Sequence, residues 1–145
     1  MLSFAFELSG EGSFSDIENH WAKEQINKSA GIMYAPTQNF EPDKNATRAD
    51  VAYAVAKALG LTCTNFESGN KFSDIALLKD DMKEQVLAAV EKGLVLGYED
   101  NTLRPENNVT RAEAAVIIFR AKKIINPELS FADAFSSSNG AVYFT

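Results

Sequence analysis

The chain repeats itself, and that constrains its fold more than any other feature, because two copies of one supersecondary unit must pack in related ways. Phe14-Ser15-Asp16-Ile17 returns as Phe72-Ser73-Asp74-Ile75, 58 residues on, and Lys23-Glu24-Gln25 returns as Lys83-Glu84-Gln85. The stretch from Phe40 to Asp50 returns as Leu103 to Glu113, shifted by 63 residues, so the second copy carries small insertions. Phe131-Ala132-Asp133 follows Phe72 by 59 residues, where a third copy would open. The expected organisation is a leader over 1–13, a first repeat over 14–71, a second over 72–130, and the start of a truncated third over 131–145.

Each repeat reads as two helices joined by a loop. Met82, Val86, Ala89, Val90 and Gly93 form a helical stripe. Gly93 and its counterpart Gly31 stand where a left-handed C-terminal cap favours glycine. Thr47-x-x-Asp50 and Thr110-x-x-Glu113 are capping boxes, in which the hydroxyl accepts from a backbone N–H and the carboxylate reaches back. No residue from Val51 to Ala56, or from Ala114 to Phe119, is charged, which predicts two second helices buried on most sides. Pro42 and Pro105, just upstream of the boxes, predict an extended entry. One repeat alone would bury too little apolar surface, so the repeats are expected to pack on each other as an all-α, pseudo-symmetric helical bundle.

Composition narrows the function. With 20 acidic against 14 basic side chains and a net charge of -6, the chain lacks the basic surplus that nucleic acid demands. No apolar run reaches the 18–20 residues or so that span a bilayer, and Met1 to Phe6 lacks the basic start of a signal peptide. The single cysteine, Cys63, has no disulfide partner and reads as a small packed residue. His20 has no second histidine, and no Cys/His cluster suggests a metal, so no cofactor is expected. Asp100-Asn101-Thr102 does not have the spacing of a calcium loop and reads as a turn. Asn45-Ala46-Thr47 and Asn108-Val109-Thr110 match the glycosylation sequon, but their threonines are needed as caps. There is no nucleophile elbow, phosphate loop or distinct carboxylate couple, so the chain is not expected to be an enzyme.

Several motifs, twice in the same order, resemble the S-layer homology (SLH) domain: Phe72-Ser73-Asp74-Ile75, then Gly97-Tyr98-Glu99-Asp100-Asn101-Thr102-Leu103-Arg104-Pro105, then Val109-Thr110-Arg111-Ala112-Glu113, with His20-Trp21-Ala22 and Ala46-Thr47-Arg48-Ala49-Asp50 in the first copy. The resemblance covers residues 14 to about 123. It implies tandem helix-loop-helix repeats, non-covalent anchoring of an exported protein to a bacterial cell wall, and grooves between repeats that hold secondary cell-wall polysaccharide, often through a pyruvylated sugar. A signal peptide would then lie outside these residues.

On that reading the glycan-binding candidates are Arg48, Arg111, Trp21, Asp16, Asp74, Gly97 and Tyr98. An arginine beside the free N–H groups of a helix start can bind a carboxylate with two parallel hydrogen bonds, or can instead pair with Asp16, Asp74, Asp50 or Glu113. Trp21 either stacks on a sugar face or packs in the core. Asp16 and Asp74 either cap a turn, the preferred reading, or bond sugar hydroxyls or the arginines. Repeat one has the tryptophan without a glycine loop; repeat two, with Asp81 at that position, has the reverse. A composite groove could therefore combine Trp21, Arg48 or Arg111, and the Gly97-Tyr98 loop. The competing reading is an interaction module with degenerate repeats that binds no glycan and recruits a second copy or another chain over its uncovered surface, including the apolar Ala141-Val142-Tyr143-Phe144-Thr145.

Overall fold

The computed structural model describes residues 12–130, so the leader up to residue 11, the start of the third repeat and the apolar tail lie outside the described residues. Among the described residues four α-helices carry the fold: α1 (Lys23–Ser29), α2 (Arg48–Ala58), α3 (Lys83–Glu91) and α4 (Arg111–Ile125), with short 3-10 turns at Phe66–Lys71, Ile75–Leu77 and Asp80–Met82 between α2 and α3. No sheet forms among the described residues; one antiparallel bridge joins Thr47 to Asn108. The architecture is all-α, two helix-loop-helix units sharing one core.

The capping boxes start α2 and α4 where expected. Thr47 accepts from the Asp50 amide and Asp50 from the Thr47 amide, and Thr110 and Glu113 do the same. The α2 face formed by Ala49, Ala52 and Ala56 is buried, and these small side chains let α2 lie against both α3 and α4. The core is completed by Phe72, Leu78, Met82, Val86, Ala89, Leu94, Leu103 and Ile117. The expected α3 stripe is the buried face: Met82, Val86 and Ala89 are enclosed and Val90 packs against them.

Three expectations are corrected. Gly93 adopts a left-handed conformation (φ 69°), but Gly31 does not. The chain leaves α1 through Ala30 in helical geometry, with the Ile32 and Met33 amides both donating to the Ser29 carbonyl, so no left-handed residue is needed there. The entries to α2 and α4 are extended only at the capping Thr47 and Thr110; Glu41 and Arg104, which precede the two prolines, have φ of 58° and 53°. Each is held by the aspartate that opens its repeat. The two Asp16 carboxylate oxygens accept the Phe40 and Glu41 amides (2.8 and 2.7 Å), and those of Asp74 accept the Leu103 and Arg104 amides (both 2.8 Å). Two successive N–H groups turned toward one carboxylate require a backbone that alternates in hand, and the left-handed residue supplies it. Finally, α4 is covered less than α2: Ala112 and Val116 are exposed, because α2 has helices on two sides.

A third carboxylate ties down the connection between repeats. Glu91, at the end of α3, accepts from the Thr64 and Asn65 amides (3.0 and 2.7 Å), the Thr64 hydroxyl and the Cys63 thiol. Cys63 is thus half-buried with a polar partner, and burial first, then Glu91, pushes its thiol pKa up.

Backbone hydrogen bonds, led by Phe40 for Asp16 and Thr64 for Glu91, hold both carboxyls below their ordinary values of 3.8 and 4.5. The unfolded chain therefore binds these protons more tightly. Their contribution to stability is present above the ordinary values and is lost as pH falls through the lowered ones. Urea midpoints should accordingly stay level down to the ordinary carboxylate range and drop below it, and Asp16→Asn should show a smaller acid drop than wild type.

Candidate functional site: the junction and groove between repeats

The two repeats meet where the start of α2 enters the loops of repeat two. The Arg48 amide donates to the Asn107 carbonyl (2.9 Å), the Ala49 amide to Pro105 (2.9 Å), and the Val109 amide to Ala46 (3.0 Å). The first two are orphan N–H groups of the α2 N-terminus, satisfied here by another repeat rather than by water. The Arg48 side chain follows the same direction. It is 6% exposed, its Nε donates to the Leu103 carbonyl (3.1 Å), its Nη2 to Leu96 (2.8 Å), and its Nη1 lies 3.4 Å from Glu113 Oε1. The guanidinium also stands over the Tyr98 ring, 4.8 Å from its centroid, while Arg104 covers that ring at 3.7 Å. The Tyr98 hydroxyl closes the cluster by donating to Glu113 Oε1 (3.1 Å).

Of the alternatives open for Arg48, the structure shows pairing with Glu113, together with two backbone carbonyls and a ring. It joins Arg48 to the Gly97-Tyr98 loop, two of the three parts of the expected composite groove, without Trp21. Gly97 is small because Phe72 packs on it: a Cβ at that position would run into the Phe72 ring. Asp16 and Asp74 spend their carboxylates on backbone amides, which is the turn role. Arg111 is exposed and makes no hydrogen bond or ion pair among the described residues.

Trp21 stands apart from this cluster and is 88% exposed, so the core-packing alternative does not hold for it. Its ring partner is His20 (centroids 5.6 Å). His20 itself is fixed: Nδ1 accepts the Ala22 amide (3.1 Å), which leaves Nε2–H to donate to Asp43 Oδ1 (3.1 Å). The histidine thus caps the entry to α1, the role of a capping residue rather than a metal ligand, and links the tryptophan to the 40–46 loop.

The other face of that loop lines a cavity of about 490 Å³ between the repeats. Repeat one contributes Met33, Tyr34, Phe40, Lys44 and Asp50, and repeat two contributes Leu78, Lys79 and Pro105. Lys79 lies 5.1 Å from the centroid of the Tyr34 ring, whose hydroxyl donates to Asp81 (2.8 Å). Burial, then the Asp81 hydrogen bond, pushes the Tyr34 pKa up to about 12, so the phenol stays protonated and acts as a donor. Sequence reasoning missed this pair, because Tyr34 and Lys79 sit in loops that diverge between the copies and meet only when the repeats pack. None of the seven residues expected from sequence lines the cavity.

Comparison with known proteins agrees with this architecture. The model of the S-layer homology domain matches residues 13–52 and 71–115, more than half the chain. The chain belongs to the SLH domain family. It is 37% identical over 87 residues to cell surface glycoprotein 1 of Acetivibrio thermocellus, a match covering 57% of this chain and 4% of that protein. It is 36% identical over 87 residues to the cellulosome-anchoring protein of the same organism, covering 56% and 18%. It is 28% identical over 133 residues to the S-layer protein of Bacillus thuringiensis subsp. finitimus, covering 90% of this chain and 16% of that protein. The chain thus spans only a small part of these cell-surface relatives. Among the described residues no helix is long and apolar enough to cross a membrane.

Removing one partner of an enclosed ion pair strands the other and several carbonyls. Arg48→Ala should therefore lower unfolding stability by roughly 2–4 kcal/mol, and Arg48→Lys should recover little of it, since an ammonium cannot bridge two carbonyls and a carboxylate in one plane. Urea denaturation followed by circular dichroism checks both.

Proposed function

We propose that this chain is a non-catalytic module that holds its parent protein at a bacterial cell surface by binding an anionic, pyruvylated secondary cell-wall polysaccharide. The observation that carries the reading is an indole 88% exposed yet held by a fixed histidine, beside a loop whose other face lines the groove between repeats. A tryptophan face left in water at that cost suits a sugar ring, whose C–H face is apolar. Lys79 in the groove supplies charge for a ketal carboxylate, with Lys44 beside it paired to Glu41 (3.2 Å), and the Tyr34 ring and hydroxyl supply an amphipathic wall. Family membership supports the same reading, since the relatives named above are a cell surface glycoprotein, a cellulosome-anchoring protein and an S-layer protein.

In this reading Arg48 shapes the groove by locking the repeats and does not touch the glycan. Asp16, Asp74, Gly97 and Tyr98 act in the same indirect way, by setting the loops. The arginine motif contributes geometry, and lysines and aromatics make contact.

The test is co-sedimentation with purified sacculi, intact or stripped of secondary polysaccharide by acid. Wild type should pellet with intact sacculi and stay soluble with stripped ones. Trp21→Ala and Lys79→Ala, both at exposed positions, should each weaken binding about tenfold or more, as expected for a lost stacking platform or charge-assisted bond. Equal binding of wild type to stripped sacculi, or full binding by both variants, would reject the proposal.

A further inference from the structure

The only histidine of the chain lies against its only tryptophan, and the two ring nitrogens of that histidine do opposite work. The His20 amide donates to the carbonyl of buried Ile17 (3.0 Å), and the His20 carbonyl accepts the Lys23 amide (3.1 Å), so the backbone beneath the ring is fixed. The side chain is 14% exposed. A backbone N–H can only donate, so the Nδ1 that accepts from Ala22 carries no proton, and the single ring proton sits on Nε2 and goes to Asp43. Ala22 is the N-cap of α1 and has no capping side chain. In α2 and α4 the N-cap amide is taken by the carboxylates of Asp50 and Glu113; in α1 a titratable nitrogen takes it.

A second proton makes both ring nitrogens donors, and imidazoles take up that proton between about pH 8 and about pH 5. Nδ1–H then faces the Ala22 N–H, donor against donor, and the bond that fixes the ring is lost. The charged groups around the ring are Asp43, in contact, Asp16, close enough for His20 to act on its carboxyl, and the ion pairs Glu18–Lys23 (2.8 Å) and Glu41–Lys44 (3.2 Å). Asp43 can meet the added charge through Nε2–H, but that contact does not restore the bond to Ala22. Trp21 is exposed to both changes. It stands in sequence between the two partners of the lost bond, and its ring lies on the imidazole with the planes 31° apart.

We infer that His20 is the positioning residue of Trp21, and that its protonation frees the indole so that the module holds its ligand at neutral pH and loosens on acidification. The ligand half of this inference rests on the reading of Trp21 as a sugar platform given above; the freeing of the indole does not. The neutral ring holds three things together: the N-cap amide of α1 through Nδ1, the 40–46 loop through Nε2–H, and the indole through its face. Protonation removes the first, and a ring that turns away from Ala22 takes its face from the indole. His20 needs no contact with the glycan to act in this way.

One tryptophan and one histidine make the readouts specific. In the full 145-residue chain without sacculi, tryptophan fluorescence anisotropy should fall between about pH 8 and about pH 5, and the Ala22 amide signal in proton–nitrogen NMR spectra should shift with the same midpoint. His20→Asn, whose side-chain oxygen can take the Ala22 amide and does not titrate, should leave both level with pH, with circular dichroism unchanged. His20→Gln reaches toward Asp43 alone and should show the low anisotropy throughout. In co-sedimentation with intact sacculi, wild type should bind about fivefold more weakly at the acid end than at the neutral end, as loss of one hydrogen-bonded support implies, and His20→Asn equally at both. A wild-type anisotropy and Ala22 signal that stay level, a His20→Asn protein that still titrates, or sacculus binding that holds in acid while the indole is freed would overturn the inference. Wild type that binds intact sacculi at no pH would overturn the glycan reading and the ligand half with it, and the anisotropy would still decide whether His20 positions Trp21.

Discussion

The structure depends on one guanidinium leaving its own repeat. Arg48 is placed by the first turn of α2, yet its hydrogen-bond partners, two carbonyls and a carboxylate, belong to repeat two. A charge with so little exposure is tolerated only when its donors are met, and the fork of arginine meets three acceptors where an ammonium would not. The same helix start satisfies its orphan amides on the Pro105–Asn107 carbonyls. Two units that would be marginal alone thus become one folded body. The junction couples them by polar contacts at its rim and by the packing of α2 on α3 and α4 at its centre.

Carboxylates set the loops on which this junction depends. Asp16 and Asp74 each gather two successive amides and impose a left-handed residue before the proline, which aims the chain into the next capping box. Glu91 does the corresponding work for the connection between repeats. An acidic chain therefore places part of its negative charge where backbone N–H groups need an acceptor. The groove itself is of mixed charge, lined by Lys44 and Lys79 together with Glu41, Asp50 and Glu106.

Internal symmetry also explains why the copies differ in chemistry. In repeat two the loop carries Gly97 and Tyr98, whose ring lies between Arg48 and Arg104. In repeat one Tyr34 and Ala35 take those positions, the ring turns to Asp81 and Lys79, and among the described residues a cavity lies beside them. One copy is filled by its neighbour, and the other retains a cavity. Repeats alike in motif thus differ in what packs against them among the described residues.

Local chemistry determined much of this without help from the fold. The repeat, the two capping boxes, the apolar helices and the Gly93 cap are written in spacings of a few residues, where hydrogen bonds close within one turn of backbone. The choice of partner across the chain is different. Whether Arg48 met an anion in solvent or Glu113, whether Trp21 lay inside or outside, and whether Tyr34 met Lys79 depended on how two separately legible units came together. Identical motifs at Arg48 and Arg111 ended in opposite environments, one enclosed and one exposed, because only one of them has a following repeat against it among the described residues. Short-range hydrogen bonds are a property of sequence; burial, and with it the meaning of a charge, is a property of the packed whole.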